Sequence, residues 1–230
     1  MDIIQQIELL AEKLGDLCEE VVVVGACSPA LILDVSTAPD LRPTADVDIV
    51  VQADNYGRYF SFVEKIKKKG FVERQGDPIG RYASGELIVD VMPTEADVLG
   101  FTNRWYKKAF DNATYRKLPS GKFIKTVTPV YFVATKFEAF RSRGKDDVMA
   151  SPDLEDIITI LVEVATLEEE LKQADKDVER YISDQFKKLV SDKNYPHLCI
   201  PLNPSTCSSV NRPLVPKLIV HMVGAKRRWY

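Results

Sequence analysis

The chain has 230 residues, 45% hydrophobic and 28% charged, with a formal net charge of -3, a length and composition that support a stable core without staples. The weak acidic balance excludes a broad, sequence-blind grip on a polyanion, although a local basic patch could receive a nucleic acid end. Cys18, Cys27, Cys199 and Cys207 form no CxxC pair or other metal-ligand spacing and read as reduced thiols.

The opening segment, MDIIQQIELLAEKLGD, carries acids and a helical period where a secretion signal needs a basic start and an apolar run. No stretch approaches membrane-spanning length, so a cytoplasmic address and no membrane partner are expected. Apolar residues at 3, 4, 7, 10, 11 and 14 predict a helix that Gly15 and Asp16 stop. Val21 to Val24 is a solid β-branched run ending in Gly25, the pattern of a strand buried on both faces. Ser28-Pro29 then places an N-cap before proline at the first helical position, predicting a short helix over 28 to 35.

After a polar loop over 36 to 45, the segment Asp46 to Val51 predicts a second strand. Residues 56 to 69 form an amphipathic helix ended by Gly70, and 71 to 73 a short strand. Arg81 to Ser84 and Glu86 to Met92 predict two strands turning at Ser84-Gly85. From Thr128-Pro129 and again from Ser151-Pro152 the pattern is helical to about Leu189. A Pro-, Ser- and Asn-rich connection over 191 to 216 follows, then an apolar stretch at 217 to 224. The fold class is therefore α+β: a small mixed sheet with helices over 1–127, followed by a mainly helical part over 128–230. The closing basic run, Lys226, Arg227 and Arg228, reads as a solvated tail.

Three carboxylates attract attention. Asp46 and Asp48, one residue apart on a predicted strand, project from one face about 6 to 7 Å apart along the chain. Such a pair suits magnesium, a hard cation that takes oxygen ligands; an exposed strand face with two surface acids is the alternative. Asp90 is the single charge in ELIVDVMP, where an unpaired buried carboxylate would be costly. It needs a partner or an ion, unless it faces solvent on an edge strand. Upstream, the strand running into Gly25-Ala26-Cys27-Ser28 and a helix offers backbone amides to a phosphate. Lys136 has Phe132 and Phe140 four residues to either side, so its stem lies on a partly apolar helix face. Its ammonium either meets a phosphate there or snorkels to water. His197 and His221 stand beside no candidate Ser or Cys nucleophile and read as surface or packing residues.

The order strand, Gly25, helix, Arg42-Pro-Thr44-Ala-Asp46-Val-Asp48, then a strand with Asp90, resembles the nucleotidyltransferases of the DNA polymerase beta superfamily. The segment PVYFVATKFEAFRSRGKDDVMASPDLEDIITIL is similar to the second motif block of the abortive-infection toxins of the AbiEii type, and the likeness spans about 20 to 165. The resemblance implies catalytic and metal-binding roles for Asp46, Asp48 and Asp90, with two magnesium ions, and a nucleoside triphosphate as substrate. It implies nucleotide contacts from Gly25, Ser28, Arg42, Thr44 and Lys136. Arg141 or Arg143 and Asp153 or Asp156 match the later family positions. Arg42 and Thr44 would orient phosphate or cap the loop.

An RNA, tRNA or protein acceptor and a cognate antitoxin are the implied partners. A small-molecule acceptor of the aminoglycoside type, or a nucleotide-binding module without transfer, are the alternatives. The first motif departs from the family pattern, because Ala26 and Cys27 follow Gly25 where Gly or Ser is usual; a hydroxyl contact there would fall to Ser28. The acids Asp146, Asp147, Asp153, Glu155 and Asp156 are also read as favourable charge at a helix N-terminus, needing no function.

Overall fold

Helix α1 (Ile3–Leu14) begins where Asp2 and Gln5 form a reciprocal capping box, Asp2 accepting from the Gln5 amide and the Gln5 side chain accepting from the Asp2 amide. Its buried residues are Ile3, Gln6, Ile7, Leu10, Ala11 and Leu14, the stripe that the 3.6-residue period predicts except that Ile4 is only half-buried and Gln6 joins it. A computed structural model describes residues 1–33, 41–142 and 151–191. Arg143, Asp146, Asp147, both histidines, Cys199, Cys207, the connection after 191, the apolar stretch at 217 to 224 and the basic run lie outside the described residues, as do 34–40.

The described residues divide into two compact units, one within Met1–Ser36 and Arg42–Thr128, the other comprising Leu41 and the residues from Pro129 onward. The first unit is built on a six-stranded mixed sheet: β1 (Val21–Val24), β2 (Val47–Val51), β3 (Arg81–Ser84), β4 (Leu87–Pro93), β5 (Thr114–Lys117) and β6 (Phe123–Thr126). Their spatial order is β3-β4-β2-β1-β6-β5. The four valines of β1 are fully buried because the strand lies between β2, antiparallel, and β6, parallel.

Helix α2 (Pro29–Ile32) is shorter than the predicted 28 to 35. Helix α3 (Tyr56–Lys68), capped by Asn55, links β2 towards its parallel neighbour β4. The predicted strand at 71 to 73 is reduced to a single bridge, Val72 with Ala83. Two short helices, α4 (Ala96–Leu99) and α5 (Tyr106–Asp111), precede the hairpin of β5 and β6. Sequence reading misses that hairpin, whose one local signal is Pro119-Ser120-Gly121 between two runs of four residues. Gly121 there has φ of +86°, the left-handed conformation such a turn requires.

The second unit is all helical among the described residues: α6 (Pro129–Ser142), α7 (Pro152–Glu163), α8 (Leu167–Gln173) and α9 (Lys176–Ser191). Ser151 caps α7 by accepting from the Leu154 amide, and Pro152 sits in its first turn, as the Ser-Pro signal predicts. Helix α6 is buried almost all round and touches the other three. The Phe137 and Phe186 rings meet edge to face at 4.9 Å between α6 and α9. The α+β class is as expected, with helices following the sheet. Among the described residues no helix is long and apolar enough to cross a membrane.

Candidate functional site

Strand register brings the chemistry together. Val24 of β1 pairs with Asp48 of β2, Asp48 with Asp90 of β4, and Asp90 with Arg81 of β3, giving one row across four strands. Cross-strand partners project to the same face, so Asp48, Asp90 and Arg81 share a face while Val47, Ile49, Val89 and Val91 are buried on the other. Asp46 differs from expectation in one respect. Strand β2 begins at Val47, so Asp46 lies in the approach to the strand and not within it.

That approach is fastened at several points. Thr44 Oγ1 donates to Asp46 Oδ1 at 3.0 Å, Cys27 Sγ donates to the Asp46 carbonyl at 3.4 Å, and Gln6 Nε2 from α1 donates to the Thr44 carbonyl at 3.0 Å. Thr44, read as either a phosphate contact or a loop cap, thus spends its hydroxyl on Asp46. Arg42 lies half-buried two residues earlier. Gln6 and Cys27 escape sequence reading because their contacts span 38 and 19 positions.

Arg81 is the residue that sequence reading misses and the structure puts at the centre. Its Nε donates to Asp90 Oδ1 at 2.7 Å and its Nη2 to Asp90 Oδ2 at 2.8 Å, a forked pair. The same Nη2 donates to Asp46 Oδ2. Asp90 therefore has the partner that its apolar run demands, and its side chain is 14% exposed. The hydrogen bonds to Asp90 hold the guanidinium of Arg81 above even its ordinary pKa; burial opposes this, and the charges of Asp90, Asp46 and Asp77 add to it. Arg81 is cationic at every working pH.

Gly25 follows β1 with φ of +67°. A Cβ built there would lie 1.9 Å from Asp48 Oδ2 and 2.7 Å from Asp48 Cγ, so the glycine exists to let the Asp48 carboxylate lie against the turn. Gly85 has a similar φ, +65°, and open space where its Cβ would be. Gly25→Ala is therefore expected to cost about 1–3 kcal/mol for the left-handed backbone plus a further loss from the clash. Urea unfolding should show it more destabilised than Gly85→Ala; equal midpoint shifts would mean that the Asp48 contact is not constraining.

Ser28 is a correction to its predicted placement. Its hydroxyl does not cap α2; it is fully buried and donates to the Val23 carbonyl at 3.3 Å. The residue already has helical φ and ψ, −61° and −37°, so the 3-10 turn over Gly25–Cys27 merges into α2 and leaves the hydroxyl pointing back at the strand.

Lys136 sits within the helical unit, and its surroundings also correct expectation. It does not snorkel to water: its Nζ lies 3.2 Å from Asp153 Oδ1 and 2.6 Å from Asp156 Oδ2. The three side chains are 9%, 2% and 8% exposed, a buried ion triad between α6 and α7. The acids at the start of α7, read as helix N-terminal charge, are thus in part the counter-ions of Lys136. Arg141 donates through Nε to Gln185 Oε1 at 2.9 Å.

The donor set of Asp46, Asp48 and Asp90 is all carboxylate oxygen, which suits a hard divalent cation. A stand-in cation, the guanidinium of Arg81, already bridges two of the three. Among the described residues no three His, Cys, Asp or Glu side chains converge as a ready-made metal cage, and that bridge is why Asp46 and Asp90 converge on nitrogen. No protein-family model matches the chain, and no curated protein matches it at a significant level.

Proposed function

We propose that the chain is a magnesium-dependent nucleotidyltransferase, moving a nucleotidyl group from a nucleoside triphosphate to an acceptor hydroxyl. The observation that carries this reading is that Asp48 and Asp90 are direct cross-strand neighbours on one face of the sheet, with Asp46 just before them and Gly25 pressed against Asp48. Oxygen donors on adjacent strands beside a turn with no side chain are what phosphoryl chemistry requires of a protein, since its demands are charge neutralisation and in-line positioning. No protein nucleophile is needed.

Asp46 and Asp48 would hold the magnesium ions, with Asp90 completing the set. When bound, they supply neutralisation of the phosphate charge and of the leaving pyrophosphate. The chain's own residues do the rest. The missing side chain at Gly25 seats the Asp48 carboxylate against the turn, and Thr44 with Cys27 and Gln6 keeps Asp46 in place. Asp90 accepts the proton of the attacking hydroxyl; the new bond forms to the α-phosphorus, and pyrophosphate leaves. The resemblance to toxins of the AbiEii type favours an RNA, tRNA or protein acceptor and a cognate antitoxin.

A second reading is a nucleotide-binding module that keeps the fold without transfer. Arg81 on two of the three carboxylates and the buried Ser28 hydroxyl favour it. Incubating the purified chain with magnesium, total RNA and each of four labelled triphosphates separates the two. The enzyme reading expects label on RNA, on protein or on the chain itself. Binding without turnover, unchanged by Asp90→Asn, favours the module, and neither binding nor labelling removes both.

A further inference from the structure

We propose that Arg81 is a built-in counter-ion that competes with divalent metal for Asp46 and Asp90, so that the carboxylates bind metal only when its side chain withdraws. The inference rests on reading Asp46, Asp48 and Asp90 as the metal-binding carboxylates. Counting acceptor atoms shows where the competition lies. Both oxygens of Asp90 accept from Arg81, Asp46 Oδ2 accepts from the same guanidinium, and Asp46 Oδ1 accepts from Thr44. Every carboxylate oxygen of these two residues is therefore engaged by a donor, and the guanidinium supplies three of the four bonds.

Asp48 and Asp90 are direct cross-strand neighbours, and like charges so placed repel. Arg81 offsets that repulsion while no metal is bound, which lets the sheet form before its cation arrives. The side chains of Arg81, Asp46 and Asp90 are 25%, 25% and 14% exposed, shielded enough for a forked pair to hold yet open enough for exchange with solvent ions.

A withdrawn side chain also has somewhere to go. Arg81 opens the edge strand β3 directly after Gly80, whose φ is +90°. It borders a cavity of about 600 Å3 between α3, α4 and the 73–80 segment, whose lining includes Asp77. The charge of Asp77 already acts on Arg81 from there.

The test measures binding of Mn2+ alone by the electron paramagnetic resonance of the free ion, on the full chain, Arg81→Ala, Arg81→Gln and Asp48→Ala. Both Arg81 variants are expected to bind Mn2+ roughly tenfold tighter than the parent, the size of losing one charge-assisted competitor. Their metal-free melting temperatures should fall and recover when Mn2+ is added. Arg81→Gln, close in size and uncharged, keeps the comparison usable if the alanine variant folds poorly. A purely structural role would move Mn2+ affinity the other way, so weaker or unchanged binding in both variants overturns the proposal while leaving the functional reading intact. If no variant retains Mn2+, even with ATP present, the metal reading fails and this proposal fails with it.

Discussion

Asp48→Ala is expected to abolish nucleotidyl transfer, by about a thousand-fold or more, equivalent to roughly 4 kcal/mol of transition-state stabilisation. Asp48 is the middle member of the row: Val24 lies on one side, Asp90 on the other, and Gly25 is kept free of a side chain for its carboxylate. Asp46 and Asp90 also bond to Arg81, so substitutions there change two things at once. Removing Asp48 takes away negative charge beside Asp90 and opens space beside the turn, so circular dichroism and melting are measured beside the parent to establish that the variant is folded. Transfer of label measured with saturating triphosphate then reports chemistry and not folding. A variant that keeps even a tenth of the parent rate would show that Asp48 holds no catalytic metal.

Lys136→Ala is expected to destabilise the helical unit by about 3–5 kcal/mol, because it takes a buried cation from two carboxylates in a nearly dry site. Asp153 and Asp156 are 2% and 8% exposed, and Lys136 is the cation between them. Urea unfolding followed by far-ultraviolet circular dichroism measures the loss. The triple variant Lys136→Met, Asp153→Asn, Asp156→Asn should recover most of it, since uncharged groups of similar volume carry no such desolvation cost. If Lys136→Ala alone shifts the unfolding midpoint little, the triad is hydrated and its charges are screened.

Much of the fold is legible in one dimension. Periods, caps and β-branched runs locate α1, β1, α3 and the start of α7 closely, since each is specified by neighbours within a turn or a strand. The weak points are equally physical. Strands β5 (TYRK) and β6 (FIKT) are four residues each, too short and polar to stand out, and what makes them strands is their pairing with each other and the contact of β6 with β1 at Val23 and Thr126. Ser28 reads as an N-cap by chemistry, yet the preceding 3-10 turn gives it helical dihedrals and a backbone carbonyl behind it.

The candidate site divides along the same line. Spacing and an apolar run single out Asp46, Asp48 and Asp90 but leave two wet surface acids and a solvent-facing edge residue as alternatives; their shared role is what the family resemblance implies. Which partner Asp90 meets is decided by register. A turn at Ser84-Gly85 would set Arg81 opposite Ile88, whereas the observed turn at Gly85-Glu86 sets it opposite Asp90. That slip of one residue in the turn decides whether a guanidinium meets a carboxylate, and no local property of the sequence records it. Lys136 shows the same limit: helical spacing between two phenylalanines puts its stem on a partly apolar face, but only the packing of α6 on α7 supplies Asp153 and Asp156 as partners of its ammonium. Local sequence determines which groups carry charge and which way an element faces; the tertiary structure alone decides which opposite charge they meet, because those partners come from elements that only folding brings together.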